Sequence, residues 1–419
     1  MTESTTHSDT TQAKNSGSFW RNRDFLLLWS GQVVSTLGSS VSGLALPLLV
    51  LALVHSPAQA GLVAAIQMVP YLLFSLPVGA LIDRWNRKRA MIYCDLVRWL
   101  ALGSVPLAFA LGHLSVAQLY IVAFVEGTAR VLFELAQIAS LPRVVPPAHV
   151  PRAYAMSTIT DYLASLFGPN LGAIIISLAR TTIMGAILAY LVDSVSYLVS
   201  VFSLGAVRAS FQTERVEGQK RSLWQEIGEG LRFLWRQRLL RILALLTMSV
   251  NFFQAGIRLD IIVLVNDQLH LNTLLLGLIL GADGIGGLLG GLIAPWIQER
   301  LRLGLLIIGS VLVWSIALVV ATLASAAFPL IISGMLVGLI WPIYGVAVVS
   351  YRLSLAPDEL QGRVNSSFRL LTYGIESVGA AVGGLLLVPL GPRLSLGLVA
   401  GGLALSAIVA SCTQLRRAN

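Results

Sequence analysis

Glu126, Arg130 and Glu134 stand four residues apart inside one apolar stretch of this 419-residue chain. Residues four apart share a helix face, so two carboxylates there flank a single guanidinium. One arginine neutralises one acid, and the surplus carboxylate is a candidate for taking up and releasing a proton. Counting the helical rise along neighbouring stretches places Glu134 and Asp161 at similar depth, which groups Arg130 with Glu126, Glu134 and Asp161. The same set also suits a static ion-pair network that fixes two helices, and both readings stay open. Asp193, Asp283 and Glu376 are further acids in apolar surroundings without an obvious basic neighbour in their own stretch. Asp193 lies in an Asp-Ser-x-Ser-Tyr run where serine or backbone partners suffice, whereas Asp283 and Glu376 are candidates for a translocation path. Asp95 and Arg98 are spaced to pair near a helix end, and interfacial solvation accounts for Arg258 and Asp260.

A cavity for a bulky molecule needs inward polar and aromatic groups. Gln32, Ser39, Asn251, Gln254, Trp341, Tyr344 and Tyr373 are the candidates, and such an aromatic wall with carboxylates suits amphipathic or cationic compounds. Enzyme signatures are missing: the chain has no G-x-x-x-x-G-K-[ST], His-Glu-x-x-His or G-x-S-x-G. Two cysteines, Cys94 and Cys412, make neither a disulfide framework nor a Cys-based metal site, and no cofactor or metal is expected.

The elements that must position these residues follow from composition. Hydrophobic residues make up 56% of the chain and charged residues 12%, far from a water-soluble average. Runs of about 20 apolar residues suffice to cross a bilayer. Twelve such spans are expected, at 25–54, 59–82, 90–112, 115–141, 153–177, 183–207, 239–265, 273–297, 303–324, 326–350, 364–388 and 394–412. Of the 29 Lys and Arg residues, only Arg180 and Arg393 fall in loops of one side, and Arg98, Arg130, Arg258 and Arg369 fall within spans. The rest crowd the loops of the other side, so the positive-inside rule puts both termini in the cytoplasm. The net charge of +9 is thereby a property of membrane loops, and nucleic acid is not an expected partner.

A constant offset of 211 residues superimposes Gly79-Ala-Leu-Ile-x-x-Trp85 on Gly290-Gly-Leu-Ile-x-x-Trp296 and pairs Arg89 with Arg300, Gly127 with Gly338, Tyr162 with Tyr373 and Gly168 with Gly379. Two tandem six-helix bundles of the same orientation are the expected architecture. The divisions are a polar tail at 1–18, a first bundle at 19–207, a linker at 208–238, a second bundle at 239–412 and a tail at 413–419. In the linker, Leu223, Ile227, Leu231, Leu234 and Trp235 recur at helical spacing beside Arg232, Arg236 and Arg238, which predicts an amphipathic helix at the inner membrane surface.

Gly79-Ala-Leu-Ile-Asp83-Arg84-Trp-Asn-Arg87-Lys88-Arg89 resembles the loop motif G-x-L-a-D-r-x-G-r-k-r of the major facilitator superfamily, with Asn86 at the usual glycine. Asparagine tolerates left-handed backbone, so the departure is mild. The resemblance implies that Asp83 and the motif's cations latch the two halves at the cytoplasmic face. Gly168-Pro169-Asn-Leu-Gly172-Ala173 is similar to the antiporter motif G-P-x-x-G-G, with alanine for its last glycine. The superfamily fold implies that span 5 meets the glycine-rich span 8 across the halves. By alignment Glu126 occupies the position where the superfamily's span 4 motif carries an arginine, and Arg130 lies one turn on.

Arg21-Asn-Arg-Asp24-Phe-Leu-Leu-Leu-Trp29, Asp193-Ser-Val-Ser-Tyr-Leu and Glu226-Ile-Gly-Glu-Gly-Leu-Arg-Phe-Leu look like the macrolide-efflux and enterobactin-exporter group, a drug:proton antiporter branch. The resemblance implies an all-α, multi-pass protein of the cell's inner (plasma) membrane that exports bulky hydrophobic or amphipathic compounds against protons by alternating access. A specific metabolite such as a siderophore is the alternative cargo. The implied partners are a small-molecule cargo, protons and the bilayer, with a single chain as the working unit.

Overall fold

The computed structural model describes residues 19–82, 85–209, 211, 223–355 and 357–417. Tail residues 1–18 and loop-motif residues Asp83 and Arg84 therefore lie outside the described part. The described residues form helices joined by short loops, without a strand. They are α1 (Arg23–Val54), α2 (Pro57–Ile82), α3 (Arg87–Ala110), α4 (Val116–Val144), α5 (Val150–Ser177) and α6 (Thr182–Ala206), then α7 (Leu223–Arg236), α8 (Arg238–Gln254) and α9 (Ile257–Val263), and finally α10 (Thr273–Gln298), α11 (Leu303–Leu323), α12 (Ala327–Leu355) and α13 (Asp358–Ser411).

Helix starts are set by polar side chains that satisfy the first free amides. Asn22, Ser115, Thr181 and Asn272 each accept from the backbone N–H three residues on, at 3.0, 3.3, 3.2 and 2.9 Å. Large apolar side chains nonetheless point outward: Phe202, Leu292 and Phe328 are 73%, 79% and 70% exposed. Only a hydrocarbon surround makes such a surface favourable, and helices satisfy their backbone bonds internally there.

The eleventh and twelfth expected spans run on with almost no loop between them, and the seventh takes a different form. The run α13 would be about 81 Å long as one helix, far beyond a bilayer. It is two passes broken at Gly391, whose φ of 71° and ψ of 169° sit between Pro389 and Pro392. With that break, the eleven helices among the described residues that are long and apolar enough to cross a membrane make twelve crossings. The seventh span, expected unbroken over 239–265, is instead α8 and α9 separated at Ala255 and Gly256, followed by a π-turn at Leu264–Gln268. There Gly256 lies against Gly383 of α13, where an added Cβ would come within 3.3 Å of the opposite backbone.

The repeat survives in three dimensions. Shifted by 211 residues, α4 takes the bounds of α12, and α2 and α5 fall on α10 and the first pass of α13. Within the first half α1 packs on α6 and α5, α3 on α4 and α6, and α2 on α4. Within the second, α10 packs on α12, α11 on α12 and α13, and α8 on α13. The halves meet mainly along α5 with α10 and α2 with α13, two seams that the repeat exchanges. The connector α7 forms as expected, packs on α13 and buries Leu234 completely. Its Glu229 accepts a charged hydrogen bond from Arg363.

Both seams are built on close backbone approach at the glycines. A Cβ on Gly61 of α2 would lie 2.6 Å from the Cα of Gly384, and one on Gly277 of α10 would lie 2.5 Å from the Cβ of Ala173 and 2.9 Å from the carbonyl of Pro169. The Gly277→Leu variant is therefore expected to lose about 1–3 kcal/mol to overpacking at this seam. A thermal-unfolding scan of the purified protein checks this, and an unchanged midpoint would contradict the packing. The antiporter-motif glycines do something else: Gly168 and Gly172 face Ser40 and Val41 of α1, so they tighten the first half and leave the α5–α10 seam to glycines of α10.

Candidate functional site

A cavity of about 750 Å³ lies between the halves, lined by α1, α4 and α5 on one side and by α8 to α12 on the other. Along α5 it runs from Tyr154 to Pro169, about 22 Å of helix. It reaches from mid-membrane towards the face that holds the α4–α5 loop. Beyond it, on the opposite face, the glycine contacts of both seams bring the halves together.

The first half supplies Gln32, Ser39, Arg130, Glu134, Gln137 and Asp161 to the wall, and the second supplies Gln254, Arg258 and Asp283 among aliphatic side chains. Arg130 Nε donates to Glu134 Oε1 at 2.9 Å, and the hydroxyl of Tyr71 donates to Glu134 Oε2 at 2.6 Å. Glu134 thus has both oxygens engaged while 36% of its side chain faces open space. It also borders a second, smaller crevice with Tyr71, Arg369 and Tyr373 at the α2–α13 seam. Asp161 lines the main cavity and has no salt bridge among the described residues. Asp283 accepts from Ser165 Oγ at 3.3 Å across the α5–α10 seam. Gln137 donates to Gln32, joining α4 to α1.

Glu126 separates from the expected group. It accepts from Arg98 at 3.0 Å and from Gln67 at 2.7 Å, buried between α2, α3 and α4. Arg98 reaches Asp95 at 3.6 Å and stacks 4.1 Å above the ring of Tyr197, which shares a 2.8 Å hydrogen bond with Ser39. Asp95 and Arg98 do pair, but as part of a buried knot deep in the first half. Arg98 also borders the cavity. Asp193 bonds serines as expected, accepting from Ser42 at 2.5 Å and Ser196 at 3.2 Å.

Several expected cavity residues lie elsewhere because one face of a span cannot be read without its neighbours. Asn251 is buried and donates to the carbonyl of Thr372 at 2.8 Å, tying α8 to α13. Tyr344 is buried, 2.8 Å from the hydroxyl of Thr247 and packed on Trp314. Trp341 packs on the same indole and is not in the wall. Tyr373 lines the smaller crevice, with its ring 6.3 Å from that of Tyr71. Glu376 lines neither space, although it lies within electrostatic reach of Arg130. Tyr344→Phe should cost about 0.5–1.5 kcal/mol of stability through the lost hydrogen bond and leave transport unchanged. Reduced flux in a correctly folded Tyr344→Phe protein would return this residue to the cargo path.

Sequence reasoning passed over Tyr71 and Gln137, and it assigned Arg258 to an outer interface. Arg258 lies in the cavity wall, not in an outer interface, and Asp260 is 1% exposed and accepts from Ser395 at 2.8 Å. The break at Ala255–Gly256 turns α9 and brings Arg258 inward, and no residue in its own stretch announces that. At the loop motif, Asn86 caps α3 by accepting from the amide of Arg89 at 3.1 Å. Arg87 donates to the carbonyl of Ala139 at 2.8 Å, and Lys88 to that of Val207 at 2.6 Å just past the end of α6. Lys88 thus binds the end of α6 in its own half, where carbonyl dipoles favour positive charge, and Arg87 reaches α4 of that half. Gly79 lies in α2 and the side chains around it are outside the described set.

The geometry matches known proteins. The model of the Major Facilitator Superfamily matches residues 28–380. The multidrug efflux pump Tap of Mycobacterium tuberculosis is 27% identical over 379 residues, covering 87% of each chain. Macrolide efflux protein A of Streptococcus pyogenes is 25% identical over 366 residues, covering 86% of this chain and 87% of that protein. Among solved structures, the nucleoside transporter NupG superposes with a TM-score of 0.74 at 12% identity, over 92% of this chain and 98% of that one. That likeness concerns the fold. With the match running from α1 into the first pass of α13, and so through both repeated halves, the chain belongs to the Major Facilitator Superfamily of multi-pass membrane transporters.

Proposed function

We propose that this protein exports bulky amphipathic compounds across the plasma membrane in exchange for protons, by alternating access of its two halves. The observation that carries the reading is a cavity on the seam of the halves whose wall holds the Arg130–Glu134 pair and the nearby Asp161. The names of the efflux relatives support the direction of transport and the class of cargo.

In this reading both termini are cytoplasmic, as the loop charges require, so the cavity extends towards the cytoplasm. A proton arriving on Glu134 removes the charge that holds Arg130 and weakens the bond from Tyr71, while Asp161 offers Arg130 an alternative partner. Glycine contacts at the α5–α10 and α2–α13 seams let the halves rock. Glu376 and Asp283 are secondary sites for the proton, one beside each seam. Glu126 is proposed to hold Arg98 and not to titrate. A single chain contains both halves and the whole cavity and works alone.

Transport into liposomes holding the purified protein, with an imposed pH gradient and a panel of macrolides, dyes and siderophores, tests the proposal. Cargo should accumulate only with the gradient and leak away when a protonophore collapses it. Gradient-independent flux across the panel would reject proton antiport, and accumulation of siderophores alone would replace the cargo class.

A further inference from the structure

The two walls of the cavity differ in kind. The first half contributes Ser35, Thr36, Gln137, Ser157, Thr158 and Thr160, whereas the second contributes chiefly Ile257, Ile261, Leu280, Leu330 and Val337. The charged groups of the lining balance: Arg98, Arg130 and Arg258 stand against Glu134, Asp161 and Asp283. The aromatic residues expected to form a cage, Trp341, Tyr344 and Tyr373, are all outside this wall. Two other rings, Phe133 and Tyr154, do border the cavity, but with its charges balanced a planar aromatic cation finds no excess of negative charge here.

The polar wall has a further property. Ser35 donates its hydroxyl proton to the carbonyl of Gln32 at 3.2 Å, Ser157 to Ala153 at 3.4 Å, Thr158 to Tyr154 at 3.1 Å and Thr160 to Met156 at 3.0 Å. A hydroxyl has one proton and two lone pairs, so each of these groups has spent its donor on its own helix and keeps acceptor capacity. These four hydroxyls accept and do not donate outward, Thr160 with one lone pair already taken by Trp29 Nε1 at 3.0 Å. A cargo that satisfies them must bring several donors on one side and bury hydrocarbon on the other.

We infer that the cavity selects two-faced molecules of low net charge, with a hydroxyl-rich face against α1, α4 and α5 and an aliphatic face against α9, α10 and α12. Glycosylated or polyhydroxylated aliphatic ring systems have this chemistry, and a volume of about 750 Å³ suits one of drug size. The inference rests on the cavity being the cargo site of the proposed exporter and narrows the class of cargo.

Binding to the purified protein in lipid nanodiscs, without any pH gradient and with empty nanodiscs subtracted, separates this from the question of proton coupling. The probes are digitoxin, a neutral steroid glycoside, its O-methylated derivative, and ethidium, a planar aromatic cation. Digitoxin should bind at least about tenfold more tightly than its O-methylated form, which keeps the skeleton but loses the donors, each donor contributing several-fold in affinity. It should also bind more tightly than ethidium. Leu280→Ser and Gln137→Leu should each weaken digitoxin more than ethidium. Equal affinity for digitoxin and its methylated form, or tighter binding of ethidium, overturns the inference, and both comparisons are made on the unaltered chain. Selective binding without gradient-driven transport would sink the antiport reading while leaving this one standing.

Discussion

Arg98→Met is expected to destabilise the protein by about 3–5 kcal/mol, the usual cost of leaving buried charge without its partner. Arg98 is 5% exposed and is the cation between Asp95, at 0%, and Glu126, at 6%. Removing it strands two carboxylates in the packed first half, and Gln67 alone cannot balance Glu126. The measurement is the yield of monodisperse protein and its thermal midpoint. The triple variant Asp95→Asn, Arg98→Met, Glu126→Gln should recover most of the loss, because an uncharged replacement of a buried ion cluster is close to neutral. A single variant as stable as the parent would mean that the knot is already uncharged or hydrated.

Glu134→Gln is expected to abolish gradient-driven accumulation of cargo while leaving cargo binding in place. A coupling free energy of a few kcal/mol corresponds to about 5–150-fold in the response of one site to the other, and that response should disappear. Glutamine keeps the shape and still accepts from Tyr71, but it holds no charge against Arg130 and cannot exchange a proton. Asp161→Asn should weaken coupling without removing it, since Asp161 has no salt bridge to lose among the described residues. Counterflow of labelled against unlabelled cargo, which needs no proton movement, should persist in Glu134→Gln. If this variant still concentrates cargo with the parent's gradient dependence, the exchange site lies elsewhere, with Glu376 the next to test.

Both variants concern charges that the sequence placed inside the membrane, and the structure sorted them differently from the helical spacing. Glu126, Arg130 and Glu134 do share a face of α4, as the four-residue spacing required. That face meets two neighbours, so its first acid goes to Arg98 of α3 while its second stays with Arg130 and turns to Tyr71 of α2. The aromatic candidates failed for a related reason. Tyr344 and Trp341 pack on Trp314, a side chain 1% exposed on α11, and nothing in the local pattern of α12 distinguishes a wall that faces cargo from one that faces another helix.

The crossing number, the duplication and the family resemblance were all legible in the amino-acid order. They rest on one-dimensional quantities: the length of apolar runs against bilayer thickness, the asymmetry of loop charges, and a constant offset of 211 residues. The break at Gly391 falls where the sequence ended one span and began the next, whereas the split of the seventh span left only Gly256 as a trace, and its packing against Gly383 came from the tertiary structure. Three-dimensional packing settled which acids pair, that Arg258 turns inward, and that one wall of the cavity is hydroxylated and the other aliphatic. In a membrane every face of a helix is apolar enough to meet lipid, protein or cargo, so hydrophobic periodicity loses the contrast that marks inside from outside in water. The facing of each span is therefore set by its partners, and the chemistry of the cavity is a property of the seam between two halves that no single span contains.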